Sequence, residues 1–527
     1  MLEMPPPHPT QTGLSNAVRI KLASLVVIAL AIAVQSLGHL NGDIAWFMTF
    51  AEKFLDGFQP YVEVSDPNPP AAFLVYVPAI LFARMSGLRP ELVVGFFTFL
   101  SAGLSLLICE RLLQGASLLS AKERDVLQIA APYLLAFVPA FCFAEREHLA
   151  LIAVLPYLVA LMARSEGQYP LPASLWAAGL GAALCAAFKP YYLLPMALAA
   201  AYPVWRRQDW RLLFVPENLL AASVYLVYLL LIVICFPAYV SKMLPIVADI
   251  YTPVRDDISH ILFSPLLLIN GILLTGLALT AVGGSSDGRT SILAIASFGF
   301  LLTFIIQGKG WMNHAYPGLA LALLACVFFF VSSGALVVSA GRWLKIGRFY
   351  SLYIFVPMLC LAPFLFGLRE EWPGREEYPG LTETVAKAAP THPKIATLAE
   401  QLDLGHPLVR HLNGVWVGRQ NALWISWGAK YLLARGQFDQ ATRDRLTAHI
   451  HADEDAFAVD LAQGHPDVLL IESPALENYA RKNPRLAGIF KDYQPFGRVG
   501  WIGIFTARSA EPLIANLFDS RRQPSRP

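Results

Sequence analysis

The chain is a succession of long apolar runs separated by short polar stretches. Runs of about bilayer-spanning length lie at 22–40, 92–110, 126–143, 149–163, 175–188, 191–205, 212–236, 261–282, 290–306, 316–340 and 349–368. Each predicts a helix, because about 20 apolar residues rising 1.5 Å apiece cross a hydrocarbon core. One further run, 71–87, reads AAFLVYVPAILFARMSG; it is short and carries Pro78 and Arg84. Ahead of it, Ile44, Phe47, Ala51, Phe54, Leu55 and Phe58 recur at helical spacing, opposite Glu52, Lys53 and Asp56. That is the pattern of a helix lying in the membrane interface. Pro60, Pro67, Pro69 and Pro70 then impose stiff, extended backbone. The pattern changes again at Arg369, where REEWPGREEYPG reads as a linker. Beyond it, strand-like KIATLA, DVLLIE and WIGIFTAR alternate with helix-like ISWGAKYLLARG and QATRDRLTAHIHADEDAFAVDLAQG, predicting a soluble α/β domain over Leu381 to Arg508.

Basic residues decide whether 71–87 crosses, since cytoplasmic loops hold the excess of Lys and Arg. If it does not cross, Arg19, Lys21, Arg111, Lys122, Arg124, Arg164, Arg206, Arg207, Arg211, Arg289, Arg342, Lys345 and Arg348 share one side. If it crosses, every later loop inverts and these clusters face outward. The first arrangement predicts about eleven spanning helices, an outer loop from Asp43 to about Glu91 holding two interfacial helices, and a C-terminus outside. The expected segments are a cytoplasmic tail 1–20, a transmembrane domain 21–368 with outer loop 41–91, an outer α/β domain 369–508 and a tail 509–527.

Composition agrees. Of 527 residues, 56% are hydrophobic and 15% charged, against about 25% charged in soluble proteins; mean hydropathy is +0.51. The expectation is a polytopic α-helical membrane protein. A net charge of +2 offers no bulk attraction for nucleic acid. The six cysteines lie in or beside apolar runs, none at metal-ligand spacing, which predicts neither a zinc site nor a disulfide framework.

Chemistry-bearing residues fall on the outer side. Asp43 opens the first outer loop, which also holds Trp46, Tyr61 and Asp66. Glu145, Arg146, Glu147 and His148 join the third and fourth spans. Lys309, Trp311, Asn313, His314 and Tyr316 join the ninth and tenth, and Lys189 forms a weaker fourth site. Each group alone reads as an interfacial turn, a snorkelling lysine or an aromatic belt residue. Together they supply carboxylates to take a proton from a hydroxyl, cations to hold and stabilise a phosphate, and aromatic faces for a sugar or an isoprenoid. A multi-pass transporter would place ionisable residues mid-membrane; the apolar runs hold few, Glu217 being one exception.

The segment GDIAWFMTFAEKFLDGFQPYVEVSDPNPPAAFLVYVPAILFARMSG resembles the first outer loop of the C-type (GT-C) glycosyltransferases, which include protein mannosyltransferase-like and lipid A aminoarabinose transferase-like families. Glu-Arg-Glu-His after the third span is similar in position to that superfamily's second acidic motif, and GKGWMNH to its later donor-contacting loop. The resemblance implies a bacterial inner-membrane enzyme that moves a sugar from a polyprenyl-phosphate donor to a periplasmic acceptor: lipid A or lipopolysaccharide, polysaccharide or protein. A lipid-linked glycan ligase or polymerase is the alternative within the same chemistry. Asp43 would be the base or the carboxylate that orients the acceptor, Glu145 or Glu147 the partner acid or a metal ligand, and Arg146, His148, Lys309 and His314 the phosphate-facing groups. Trp46, Tyr61, Asp66, Lys189, Trp311, Asn313 and Tyr316 would contact substrate. Glu-Arg-Glu departs from the closely spaced acidic pair of metal-using relatives, so transfer without a metal or other cofactor is expected.

Overall fold

A computed structural model describes residues 16–38, 40–282, 287–332, 355–366 and 378–508. Residues 1–15, the linker up to 377, the tail 509–527 and parts of the last two apolar runs lie outside the described residues.

Among the described residues, each of the eleven apolar runs holds a helix. In chain order, α1 (Asn16–Leu37) is followed by the amphipathic α2 (Gly42–Leu55), the short α3 (Ala71–Leu74) and α4 (Val77–Ser86), α5 (Pro90–Gly115) and α6 (Ala121–Pro132). Then come α7 (Arg146–Ser165), α8 (Pro172–Phe188), α9 (Leu193–Arg207), α10 (Pro216–Cys235), the single turns α11 (Leu244–Ile246) and α12 (Ile258–Leu262), α13 (Pro265–Val282), α14 (Gly288–Gln307), α15 (Met312–Ser332) and α16 (Phe355–Leu365). Among the described residues, α1, α5, α7, α10, α14 and α15 are long and apolar enough to cross a bilayer by length and composition; the remaining runs carry shorter helices. The chain is a multi-pass membrane protein. Run 71–87 splits into pieces of 4 and 10 residues, neither of which spans. Run 126–143 is broken at Pro132 into a π-helical turn over Tyr133–Phe137 and a 3₁₀ turn over Ala140–Cys142, since proline removes a helical donor.

Helix α7 is the axis of the bundle. It packs against α5, α8, α9, α14 and α15 and is buried along almost its whole length, although Arg146, Glu147 and His148 lie at one end and Arg164 at the other. Eighteen residues separate the two arginines, about 27 Å of helix. At the far end Arg164 donates to both oxygens of Glu217, at 2.8 and 3.0 Å. Nearby, Arg206 pairs with Glu166 at 3.1 Å and Arg289 with Glu123 at 2.9 Å. Glu217 stands in the first turn of α10, so the ionisable residue singled out within an apolar run belongs to a helix end.

The C-terminal domain holds α17 (Leu381–Ala388), β1 (Lys394–Leu398), α18 (Leu408–His411), β2 (Val415–Trp416), α19 (Trp424–Arg435), α20 (Gln440–Gly464), β3 (Val468–Ile471), α21 (Pro474–Lys482), β4 (Tyr493–Val499) and β5 (Ile502–Ala507). The sheet order is β2-β1-β3-β5-β4; β2, β1 and β3 run parallel and β5 and β4 antiparallel to their neighbours. One sheet face, with Ile395, Val468, Leu470, Ile502 and Ile504, shares a single apolar cluster with Ile44, Trp46, Phe47 and Phe50 of α2. The α/β domain is therefore seated on the segment between α1 and α5.

Candidate active site

The start of α2 is organised by Asn41, whose Oδ1 accepts from the Asp43 N–H at 2.7 Å as an N-cap. Its Nδ2 donates to the Phe141 carbonyl at 3.1 Å and to Glu145 Oε1. One capping side chain thus fixes Asp43 and Glu145 relative to each other. Sequence reading passed over Asn41, although Asn-Gly-Asp before an amphipathic run is a helix-start signal.

Asp43 Oδ2 accepts from Arg146 Nη2 at 2.9 Å; the arginine is buried and the aspartate about a quarter exposed. The guanidinium lies over the Phe47 ring, 4.5 Å from its centre. Its Nη1 is buried without a partner, as is Glu145 Oε2. Burial, reinforced by the charges of Glu147 and Asp43, raises the Glu145 carboxyl well above the usual carboxylate range.

Lys189 is central to this arrangement. It follows the last residue of α8, is buried, and donates to Glu147 Oε1, to His314 Nε2 at 2.6 Å and to Gln307 Oε1 at 3.4 Å. His314 Nε2 also lies 3.4 Å from Glu147 Oε1, while its Nδ1 is buried and unpartnered, like Glu147 Oε2 and the hydroxyl of buried Tyr192.

Lys309 stands in the Gly308–Gly310 turn after α14, where both glycines have left-handed φ of +66° and +70°, a conformation glycine adopts without penalty. Its Nζ donates to the carbonyls of Tyr251 and Val254 at 2.5 Å and lies 4.1 Å above the Tyr251 ring. Burial, with Arg255 and Lys189 nearby, lowers its pKa to about 8. Trp311 is half exposed, its ring 5.2 Å from His314, and Asn313 Oδ1 accepts from the His314 N–H.

The structure thus brings Asp43, Glu145, Arg146, Glu147, Lys189 and His314 together at one end of the bundle. Other predicted contact residues are engaged elsewhere. His148 Nδ1 accepts from the Ala144 N–H at 3.0 Å and Nε2 faces the Leu135 carbonyl at 2.6 Å, so neither ring nitrogen is left for a phosphate. Tyr316 is fully buried and donates to the Leu134 carbonyl. Trp46, also fully buried, donates to Asp66 Oδ2 at 2.9 Å, while Asp66 Oδ1 accepts from the backbone and side chain of Asn68. Tyr61 packs 4.8 Å from Tyr239 and donates to the Asn68 carbonyl. These five pack the segment between α1 and α5 and the helices around it instead of presenting a free face.

The architecture is the polytopic fold of a solved membrane protein. The chain is similar to the crystal structure of ArnT from Cupriavidus metallidurans bound to undecaprenyl phosphate, with TM-score 0.56 and 13% identity over 94% of this chain and 98% of that one. It is similar to the apo form of that protein, with TM-score 0.55 and 15% identity over 93% and 97%. The arabinofuranosyltransferase AftD from Mycobacteria also matches, with TM-score 0.44 and 14% identity over 95% of this chain and 40% of that one. No protein-family model matches the chain, and no curated protein does.

Proposed function

We propose that the protein transfers a sugar from a polyprenyl-phosphate donor to a hydroxyl of a cell-envelope glycolipid, polysaccharide or protein, at the periplasmic face of a bacterial inner membrane. The observation that carries this reading is the Asp43–Arg146 pair set beside the buried Glu147–Lys189–His314 cluster at one end of the bundle. It gives one partly exposed carboxylate and several fixed cations around it. The fold supports the reading, and a neighbour with that fold was solved with undecaprenyl phosphate.

Asp43 takes the proton of the acceptor hydroxyl as its oxygen attacks the anomeric carbon. The bond from that carbon to the phosphate oxygen breaks, and the polyprenyl phosphate leaves with the electron pair. Attack from the face opposite the phosphate inverts the anomeric centre, through an oxocarbenium-like transition state. Arg146 pairs with Asp43 and, through its free Nη1, faces the departing phosphate with Lys309 and His314 Nδ1. Positive charge placed in advance where negative charge develops is the usual source of such stabilisation. Glu145 is the partner acid toward a sugar oxygen. Asp43 and Glu147 are already matched by Arg146 and Lys189, which favours transfer without a divalent cation.

Comparative mass spectrometry of envelope glycans from cells with and without the protein tests the reading. Loss of one hexose, pentose or uronic acid residue is the expected result, and identical glycans sink it.

A further inference from the structure

We propose that Arg410, on the α/β domain, is a positioning residue that sets the orientation of α2 and through it the placement of Asp43. The proposal rests on the sugar-transfer reading only for the role of Asp43; the clamp itself is a matter of geometry. Arg410 donates through Nη1 to Glu52 Oε2 at 2.7 Å, through Nη2 to Glu52 Oε1 at 2.9 Å and through Nε to Glu91 Oε1 at 2.7 Å. Glu52 lies near the end of α2 and Glu91 in the first turn of α5. One planar guanidinium, 8% exposed, thus ties the interfacial helix and a spanning helix to the soluble domain. A lysine could not reproduce this, because it is a point charge without a fork.

The same domain grips α2 along its length. A Cβ on Gly42, next to Asp43, would overlap Asp403 Oδ1 and lie 3.0 Å from the His406 carbonyl. The His406 ring sits 5.4 Å from Trp46, and Lys53 Nζ donates to the Gly418 carbonyl at 2.8 Å. A 14-residue helix has little stability of its own, so its orientation follows what holds it. Arg146 belongs to α7 and Lys309 to the turn after α14. The phosphate-facing cations thus have their backbones in other elements, although Arg146 touches α2 through Asp43 and Phe47, whereas the base rides on α2. Removing the clamp should misplace the base without disturbing the donor-lipid site, and a displacement of about 1 Å costs on the order of 100-fold in rate.

The test uses full-length protein in lipid nanodiscs, comparing wild type with Arg410→Lys and with the milder Glu91→Gln. For Arg410→Lys, hydrogen exchange at the amides of 44–55 should rise about tenfold, as local opening does, while thermal melting and affinity for undecaprenyl phosphate stay at wild-type values. Glycan product in complemented cells should fall roughly 10- to 100-fold, and Glu91→Gln should shift exchange and product in the same directions by less. Unchanged exchange in α2, or loss of undecaprenyl phosphate affinity in step with product, overturns the proposal. If wild-type cells show no glycan difference, the sugar-transfer reading fails, while the exchange result still decides the clamp.

Discussion

Arg146 Nη2 and Asp43 Oδ2 meet at 2.9 Å, joining residues 103 positions apart in sequence. The contact links the first turn of α7, buried along almost its whole length, to the first turn of the amphipathic α2. It gives the carboxylate a fixed direction and a permanent counter-charge while leaving about a quarter of it open to solvent.

Asp43→Asn keeps the volume and the cap at Asn41 but removes the base. Product formation in reconstituted vesicles should drop by at least about 100-fold, the usual contribution of a positioned base, with melting temperature unchanged. Turnover near wild type would remove Asp43 from the chemistry.

Lys189→Met removes the cation that Glu147 and His314 share. It leaves a fully buried carboxylate, 0% exposed, without its closest partner. Breaking a buried pair from one side costs about 3–5 kcal/mol, so both thermal stability and product should fall. Adding Glu147→Gln to Lys189→Met should restore part of the stability but not the activity. Full additivity of the two losses would show that the pair does not act as a unit.

Lys309 carries a pH signature. Its pKa in the folded protein is about 8, below the ordinary lysine value of about 10.4. The fold therefore disfavours the charged form, and stability rises as pH climbs from about 8 towards 10.4, where the unfolded chain still binds the proton. Donor binding runs the other way, because it needs the charge. Affinity for undecaprenyl phosphate should weaken steadily above pH 8, and Lys309→Arg, charged throughout this range, should flatten the profile. An identical decline in the arginine variant would place the titrating group elsewhere.

Glu217→Ala strands Arg164, whose side chain is 5% exposed, at the other end of α7. The expected loss is about 3–5 kcal/mol of stability, read as a lower melting temperature in detergent, with undecaprenyl phosphate affinity retained because the pair lies about 27 Å of helix from Arg146. Loss of that affinity at preserved melting temperature would contradict the separation of the two ends.

Much of the fold was legible because it is written in short-range pattern. Each apolar run became a helix, and α2 appears where Ile44, Phe47 and Ala51 repeat at helical spacing. KIATLA, DVLLIE and WIGIFTAR became β1, β3 and β5. The strands that escaped notice had no such pattern: β2 is two residues long, and β4, YQPFGRV, contains a proline and is exposed at five of its seven positions. His449 of α20 meets Asp249, in the segment between α10 and α12, at 3.1 Å, a contact 200 positions distant that no local pattern carries.

The site divides the same way. The sequence by itself determined that the chain lives in a membrane, which residues could bear chemistry, and that they cluster in loops predicted to share one side. Hydrophobic length and charge bias act locally along a chain, so they can be read locally. Only the tertiary structure decided partners: that Lys189, which reads as an interface anchor, is the buried centre joining Glu147, Gln307 and His314 across 42, 118 and 125 positions, that His148 is spent on backbone, and that Arg410 reaches across to α2. Those outcomes follow from desolvation, since a charge carried into a low-dielectric interior is tolerated only where helices distant in sequence bring it a counter-charge.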